Sequence, residues 1–157
     1  DSPYIGTGVL GMAAGRAMLK HLGATGRPLV HIEKASAPGS AAFRLREMLL
    51  AANRINEARF ADQVRMQEMV CAAMEESWDA IIGHIERFDA VLRRVVVQGV
   101  ETAEFRAIDP VAATRCIRTA MIRFHHPLLM TQCERMPGPT IGEMIDFLMA
   151  GLLRERP

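Results

Sequence analysis

Gly6-Thr-Gly8-Val-Leu-Gly11 is the first group of residues able to do chemistry, because glycines at this spacing permit a tight turn and the close approach of a phosphate. Pro28-Leu-Val-His-Ile-Glu33 follows and ends in an acid 22 residues past Gly11, where a dinucleotide site would place its ribose partner. Only Tyr4-Ile5 precedes Gly6 as strand-forming sequence, and two strands do not make the open parallel sheet of such a site, so a dinucleotide-binding fragment stands as the lesser alternative. His84, His125 and His126 lack an HExxH or Glu-x-x-His arrangement, and no cysteine spacing of zinc type accompanies them. No nucleophile turn or Ser/His/Asp set is present, so we expect neither an enzyme nor a cofactor. His125 and His126 are consecutive and point about 100° apart on a helix, which puts one toward a core and the other outward or toward a partner.

Helical sequence must position these groups. Ser40 is a plausible N-cap for a helix over 41–58, with Phe43, Met48, Leu49, Ala52 and Ile55 near one face. A second apolar-periodic segment covers 61–75. Ser77 caps a longer helix in which Trp78, Ile81, Ile82, Ile85, Phe88, Leu92, Val95 and Val96 recur at helical spacing, and Gly99 is the expected stop. Asp109-Pro110 restarts the chain with an N-cap and a proline at the first helical position. That helix is expected to run toward Arg135 and to break at His125-His126-Pro127, where the proline removes a backbone bond. Pro137-Gly-Pro139 makes a turn, and Thr140-Ile-Gly-Glu143 is a capping box opening a helix over 141–154. The apolar residues of this last helix cover more than one stripe, so one side meets its own bundle and the other calls for a second subunit.

The fold class is therefore all-α, a helical bundle of five or six main helices. Residues 1–35 are expected to be an irregular arm or a remnant of an N-terminal DNA-binding region, and 36–157 a helical ligand-binding and dimerisation domain. At 157 residues with half of them apolar, the chain can bury one sizeable core. Its formal net charge of +1 supplies no global field for nucleic acid or an anionic membrane. Three cysteines without CxxC spacing fit a reducing, cytoplasmic setting, and neither a secretory signal nor a membrane span is evident. Eleven methionines suit an adaptable pocket and equally suit ordinary packing.

Val95-Val-Val-Gln-Gly-Val-Glu-Thr-Ala-Glu-Phe105-Arg-Ala-Ile-Asp109-Pro110, then Ala112-Ala113, then Thr140-Ile-Gly-Glu-Met-Ile-Asp-Phe-Leu-Met-Ala-Gly-Leu152 resembles the closing helices of tetracycline-repressor (TetR) family transcription regulators. Ala103 stands where that family more often has glycine. The resemblance implies a bacterial repressor: a homodimer whose last two helices form a four-helix interface, and a cavity for a small apolar effector among the middle helices. Large apolar groups on those helices nominate Met66, Met69, Val70, Trp78, Ile81, Ile85, Phe88, Met121, Phe124 and His125 for ligand binding, with plain core packing as the competing explanation for each. His126, Leu128, Met144, Phe147, Leu148, Gly151 and Leu152 are the expected dimer interface. Operator DNA would be read through a helix-turn-helix, which is not evident between Thr25 and Leu29, so that segment is expected to be deleted or unrepresented. A helical dimerisation or protein-interaction module without a ligand is the other alternative.

Overall fold

The computed structural model describes residues 39–59, 78–133 and 135–154. The glycine motif at Gly6–Gly11, the segment 61–75, the cap expected at Ser77 and the N-terminal region 1–35 lie outside the described residues. Among the described residues six helices follow in order: α1 (Ala41–Arg59), α2 (Trp78–Glu101), α3 (Pro110–Ala120), α4 (Ile122–His125), α5 (Pro127–Gln132) and α6 (Ile141–Leu152). The chain is all-α, and among the described residues extended pairing is limited to a single bridge between Phe105 and Leu153.

Each start has a chemical cause. The Ser40 hydroxyl accepts from the Phe43 N–H at 3.2 Å and satisfies one of the donors that a helix start leaves open. The Asp109 carboxylate accepts from the N–H groups of Val111 and Ala112, each at 3.1 Å, with Pro110 at the position where no N–H is needed. At α6 both halves of the capping box form: Thr140 Oγ1 accepts from the Glu143 N–H, and Glu143 Oε2 accepts from the Thr140 N–H.

The core is one cluster. Ala41, Leu45, Met48, Leu49 and Ala52 of α1 meet Val91, Leu92, Val95 and Val96 of α2, closed by Ile117, Met121, Phe105 and the α6 residues Ile145, Met149 and Leu152. On α1 the buried positions recur at spacings of three and four, which leaves Phe43 on the other side, 50% exposed. Arg118 Nε donates to the Asp89 carboxylate at 2.9 Å and ties α3 to α2.

The turn between α2 and α3 differs from expectation at Gly99. The helix runs two residues further, to Glu101, and Gly99 is a buried residue inside it. A Cβ built at Gly99 would overlap the Phe105 ring, so the absent side chain makes room for a ring and the glycine does not stop the helix. Reversal happens at Ala103, whose φ of 56° is left-handed. The chain then folds back, with the Phe105 N–H donating to the Gly99 carbonyl at 2.8 Å. Arg106 N–H donates to Leu152 O at 2.9 Å and Arg154 N–H to Glu104 O at 3.0 Å, which pins the end of α6 against this turn.

Glu104 also reaches α1. Its two carboxylate oxygens accept from the N–H groups of Ala41 and Ala42 at 3.1 and 3.2 Å, a cap supplied from 63 residues away. Partial desolvation pushes this carboxyl upward, but the N–H donors and the hydroxyls of Thr102 and Ser40 outweigh it and hold its pKa below the ordinary value. Left-handed backbone costs a non-glycine residue roughly 1–2 kcal/mol. Ala103→Gly is therefore expected to stabilise the domain by about 1 kcal/mol, after the entropy that glycine adds to the unfolded chain. Urea titration should show a higher midpoint at unchanged slope.

Candidate functional site

The helix expected from Pro110 toward Arg135 is broken twice before it ends at Gln132. Pro127 has no N–H, and His126 is extended at φ −89° and ψ 120°, so the break expected at His125-His126-Pro127 is present. A second break falls at Met121 (φ −85°, ψ 0°), where the Phe124 N–H closes a tight turn onto the Met121 carbonyl at 2.9 Å. What remains between the breaks is α4, one turn long.

The Ile122 carbonyl accepts from the His126 N–H at 2.8 Å, but a four-residue helix leaves its last carbonyls open, and α1 satisfies two of them. Asn53 Nδ2 donates to the Phe124 carbonyl at 2.9 Å and Asn56 Nδ2 to the His125 carbonyl at 2.7 Å. His125 Nε2 lies 3.0 Å from the Leu49 carbonyl. A carbonyl only accepts, so this nitrogen carries the hydrogen. Burial pushes the His125 pKa below its ordinary value, and the bond to Leu49 opposes this only in part. The imidazole stands edge-on to the Phe88 ring, with centroids 5.9 Å apart and planes at 83°. His126 is half-buried, burial lowers its pKa as well, and among the described residues its Nδ1 has no hydrogen-bond partner.

On its other side α4 holds the approach to α6. Arg123 Nη2 donates to the carbonyls of Cys133 and Met136 at 2.7 and 2.8 Å. Gly138 lies so close to this guanidinium that a Cβ there would collide with it.

Of the expected ligand-binding residues, the structure brings Phe88 and His125 into ring contact, and Phe124 packs half-buried against the core. Ile85 is half-buried on α2, and Trp78, at the first position of α2, is 51% exposed. Met121 is fully buried and belongs to the core. Ile81 lies on α2, and Met66, Met69 and Val70 fall outside the described residues. Of the expected interface residues, Phe147 is 76% exposed, Gly151 is exposed, and Met144, Leu148 and His126 are half-buried. Leu128 lies on α5. Leu152, at 7% exposure, packs in its own chain's core.

Asn53 and Asn56 were not among the expected site residues. Asparagine in a helical pattern reads as solvent-facing, yet Asn53 adjoins the core position Ala52 and sits one turn past Leu49, a pairing of polar and core positions that is the available signal. Among the described residues no group of three His, Cys, Asp or Glu could hold a metal, and no helix is long and apolar enough to cross a membrane.

The titration of His125 has a definite sign. A folded-state pKa below the unfolded value means that the unfolded chain binds more protons between the two, so this contribution is intact above the unfolded value of about 6.5 and is lost as pH falls through the folded value. Melting temperature is expected to fall between pH 7 and pH 5, and His125→Gln should shrink that fall. The part that persists includes the contribution of His126, whose shift has the same sign.

These features define an all-α domain with an interrupted helix clasped by α1. A family model described as tetracyclin repressor-like, C-terminal domain matches residues 41–138, well over half of the chain. The chain belongs to this family. The match takes in α1 to α5 and ends before α6 begins. No curated protein and no solved structure matches the chain.

Proposed function

We propose that this chain is the effector-sensing and dimerisation part of a ligand-responsive transcription regulator of the repressor type, acting as a homodimer in the bacterial cytoplasm and having no enzymatic role. Family membership supports the regulator class. The observation that carries the homodimer is the apolar surface α6 leaves uncovered. Ile145, Met149 and Leu152 pack inward, while Phe147 and Leu153 remain 76% and 42% exposed. A helix apolar on both sides needs burial on both sides. Phe147 and Gly151 are one turn apart, a large side chain beside open space, and this suits an isologous contact with a second copy.

The sensing half is proposed at Phe88, Phe124 and His125, with Met66, Met69, Val70, Trp78, Ile81 and Ile85 as further candidates and Met121 as supporting core. The effector is proposed to be small and apolar, stacking on Phe88 beside a neutral imidazole. Operator DNA would be contacted by a helix-turn-helix that is not evident in this sequence.

A ligand that binds the folded state raises its stability by about 2.7 kcal/mol at a hundredfold excess over Kd. Thermal melting against a panel of small apolar compounds is expected to yield members that raise the melting temperature of the unaltered chain and fail to raise that of Phe88→Ala. Full burial of Met121 gives weight to a second reading, a helical interaction module without a ligand. A panel that leaves the melting temperature unmoved would favour that module.

A further inference from the structure

We propose that α4 is a mechanical relay between α1 and α6, driven from the Asn53, Asn56 and His125 contacts and delivered by Arg123. The inference rests on the proposed function only in taking α6 as the dimer helix. Its own basis is the hydrogen bonding of one short segment.

The breaks at Met121 and His126 separate α4 from the helices before and after it, so it can shift without bending a long helix. Both of its terminal carbonyls are held by asparagine side chains of α1, and its imidazole is bonded to an α1 carbonyl. These three bonds fix the distance and tilt of α4 relative to α1. The opposite side is held by one guanidinium, which spans the Cys133 and Met136 carbonyls in the stretch leading to the α6 capping box. Both bonds come from its Nη2, and the guanidinium packs so closely on Gly138 that a side chain there would displace it. A displacement of α4 is therefore passed by Arg123 to the residues that set where α6 starts. Phe88 touches the His125 ring from α2, so a molecule lodging against Phe88 would push at the input side of this linkage.

Other paths join the same helices: α1 and α6 share the core, Glu104 caps α1 while its carbonyl accepts from the Arg154 N–H, and Arg46 of α1 pairs with Asp146 of α6. The pair is surface-exposed and joins flexible side chains in water, where such contacts transmit little energy. The test must separate the relay from these direct routes, and a double variant does so.

The experiment is amide hydrogen exchange on the whole isotope-labelled chain, read at Glu143 and Met144 in the first turn of α6 and at Val95 and Val96 in α2. Asn56→Leu is expected to speed exchange at Glu143 and Met144 about tenfold while Val95 and Val96 change less than twofold. With Arg123→Gln already present, adding Asn56→Leu should change the α6 amides less than twofold, because the linkage is already cut. The reciprocal reading needs no change in α1: Arg123→Gln alone should speed exchange of the Asn56 side-chain amide, since coupling runs equally in both directions.

Unchanged α6 amides in Asn56→Leu would overturn the relay. So would equal acceleration in α2, which is plain loss of stability, or an undiminished effect in the double variant, which would place the traffic on the direct contacts between α1 and α6. Should Asn56→Leu fail to fold, the Asn56 side-chain reading in Arg123→Gln decides alone, and an unaltered rate there overturns the proposal. Sedimentation of the unaltered chain separates this from the dimer reading: a monomer would refute the dimer and leave the exchange results to judge the relay.

Discussion

Phe147→Asp is expected to leave the domain folded and to convert the dimer into a monomer. In one chain the ring is 76% exposed, so its removal costs the fold almost nothing; surface changes of this kind usually stay within about 0.5 kcal/mol. At a two-fold contact the same substitution counts twice. Burying a phenylalanine side chain contributes about 1.5–3 kcal/mol, so the two copies together contribute roughly 3–6 kcal/mol, or about two to four powers of ten in the dimer dissociation constant. Two carboxylates brought into an apolar contact add a desolvation penalty. Sedimentation velocity should show the smaller species, while circular dichroism and melting temperature extrapolated to low concentration stay close to those of the parent. A variant that remains dimeric would remove Phe147 from the interface.

The largest loss of stability is expected at the contact of Phe105 with Gly99. Phe105→Ala removes a ring that is 2% exposed, and truncations of this type cost about 3–5 kcal/mol in a molecule whose total stability is roughly 5–15 kcal/mol. Gly99→Val attacks the same contact from the other side, because its side chain would occupy the volume of the Phe105 ring. The two changes are expected to be strongly non-additive. In Phe105→Ala the space over Gly99 is open, so Gly99→Val should then cost far less than it does alone. Urea unfolding of the single and double variants measures the difference. Equal costs in both backgrounds would mean that the ring does not constrain Gly99.

That contact also marks the limit of what could be read from residues alone. Ser40, Asp109-Pro110 and Thr140–Glu143 announced their helices because a cap is made within four residues, and the capped structures are present. Pro127 announced a break for an equally local reason. Gly99 misled, because glycine near a helix end usually terminates it, whereas here its partner is a ring that returns only after a left-handed turn at Ala103. Glu104 could not be read as a cap for α1, since its partners are more than sixty residues away. Leu152 shared an apolar pattern with Phe147, and pattern does not say which side of a two-sided helix meets its own core. The candidate site was legible in its rings and imidazole, Phe88, Phe124 and His125. Asn53 and Asn56 were not, because the carbonyls they satisfy exist only once the helix between Met121 and Pro127 has broken.

The central claim is that this domain works as a pair joined through α6. Sedimentation equilibrium of the unaltered chain over a hundredfold concentration range tests it most directly. The expected result is a mass twice the 17.4 kDa of one chain, falling toward the single-chain value only on dilution or in Phe147→Asp. A mass of one chain at every concentration would contradict it.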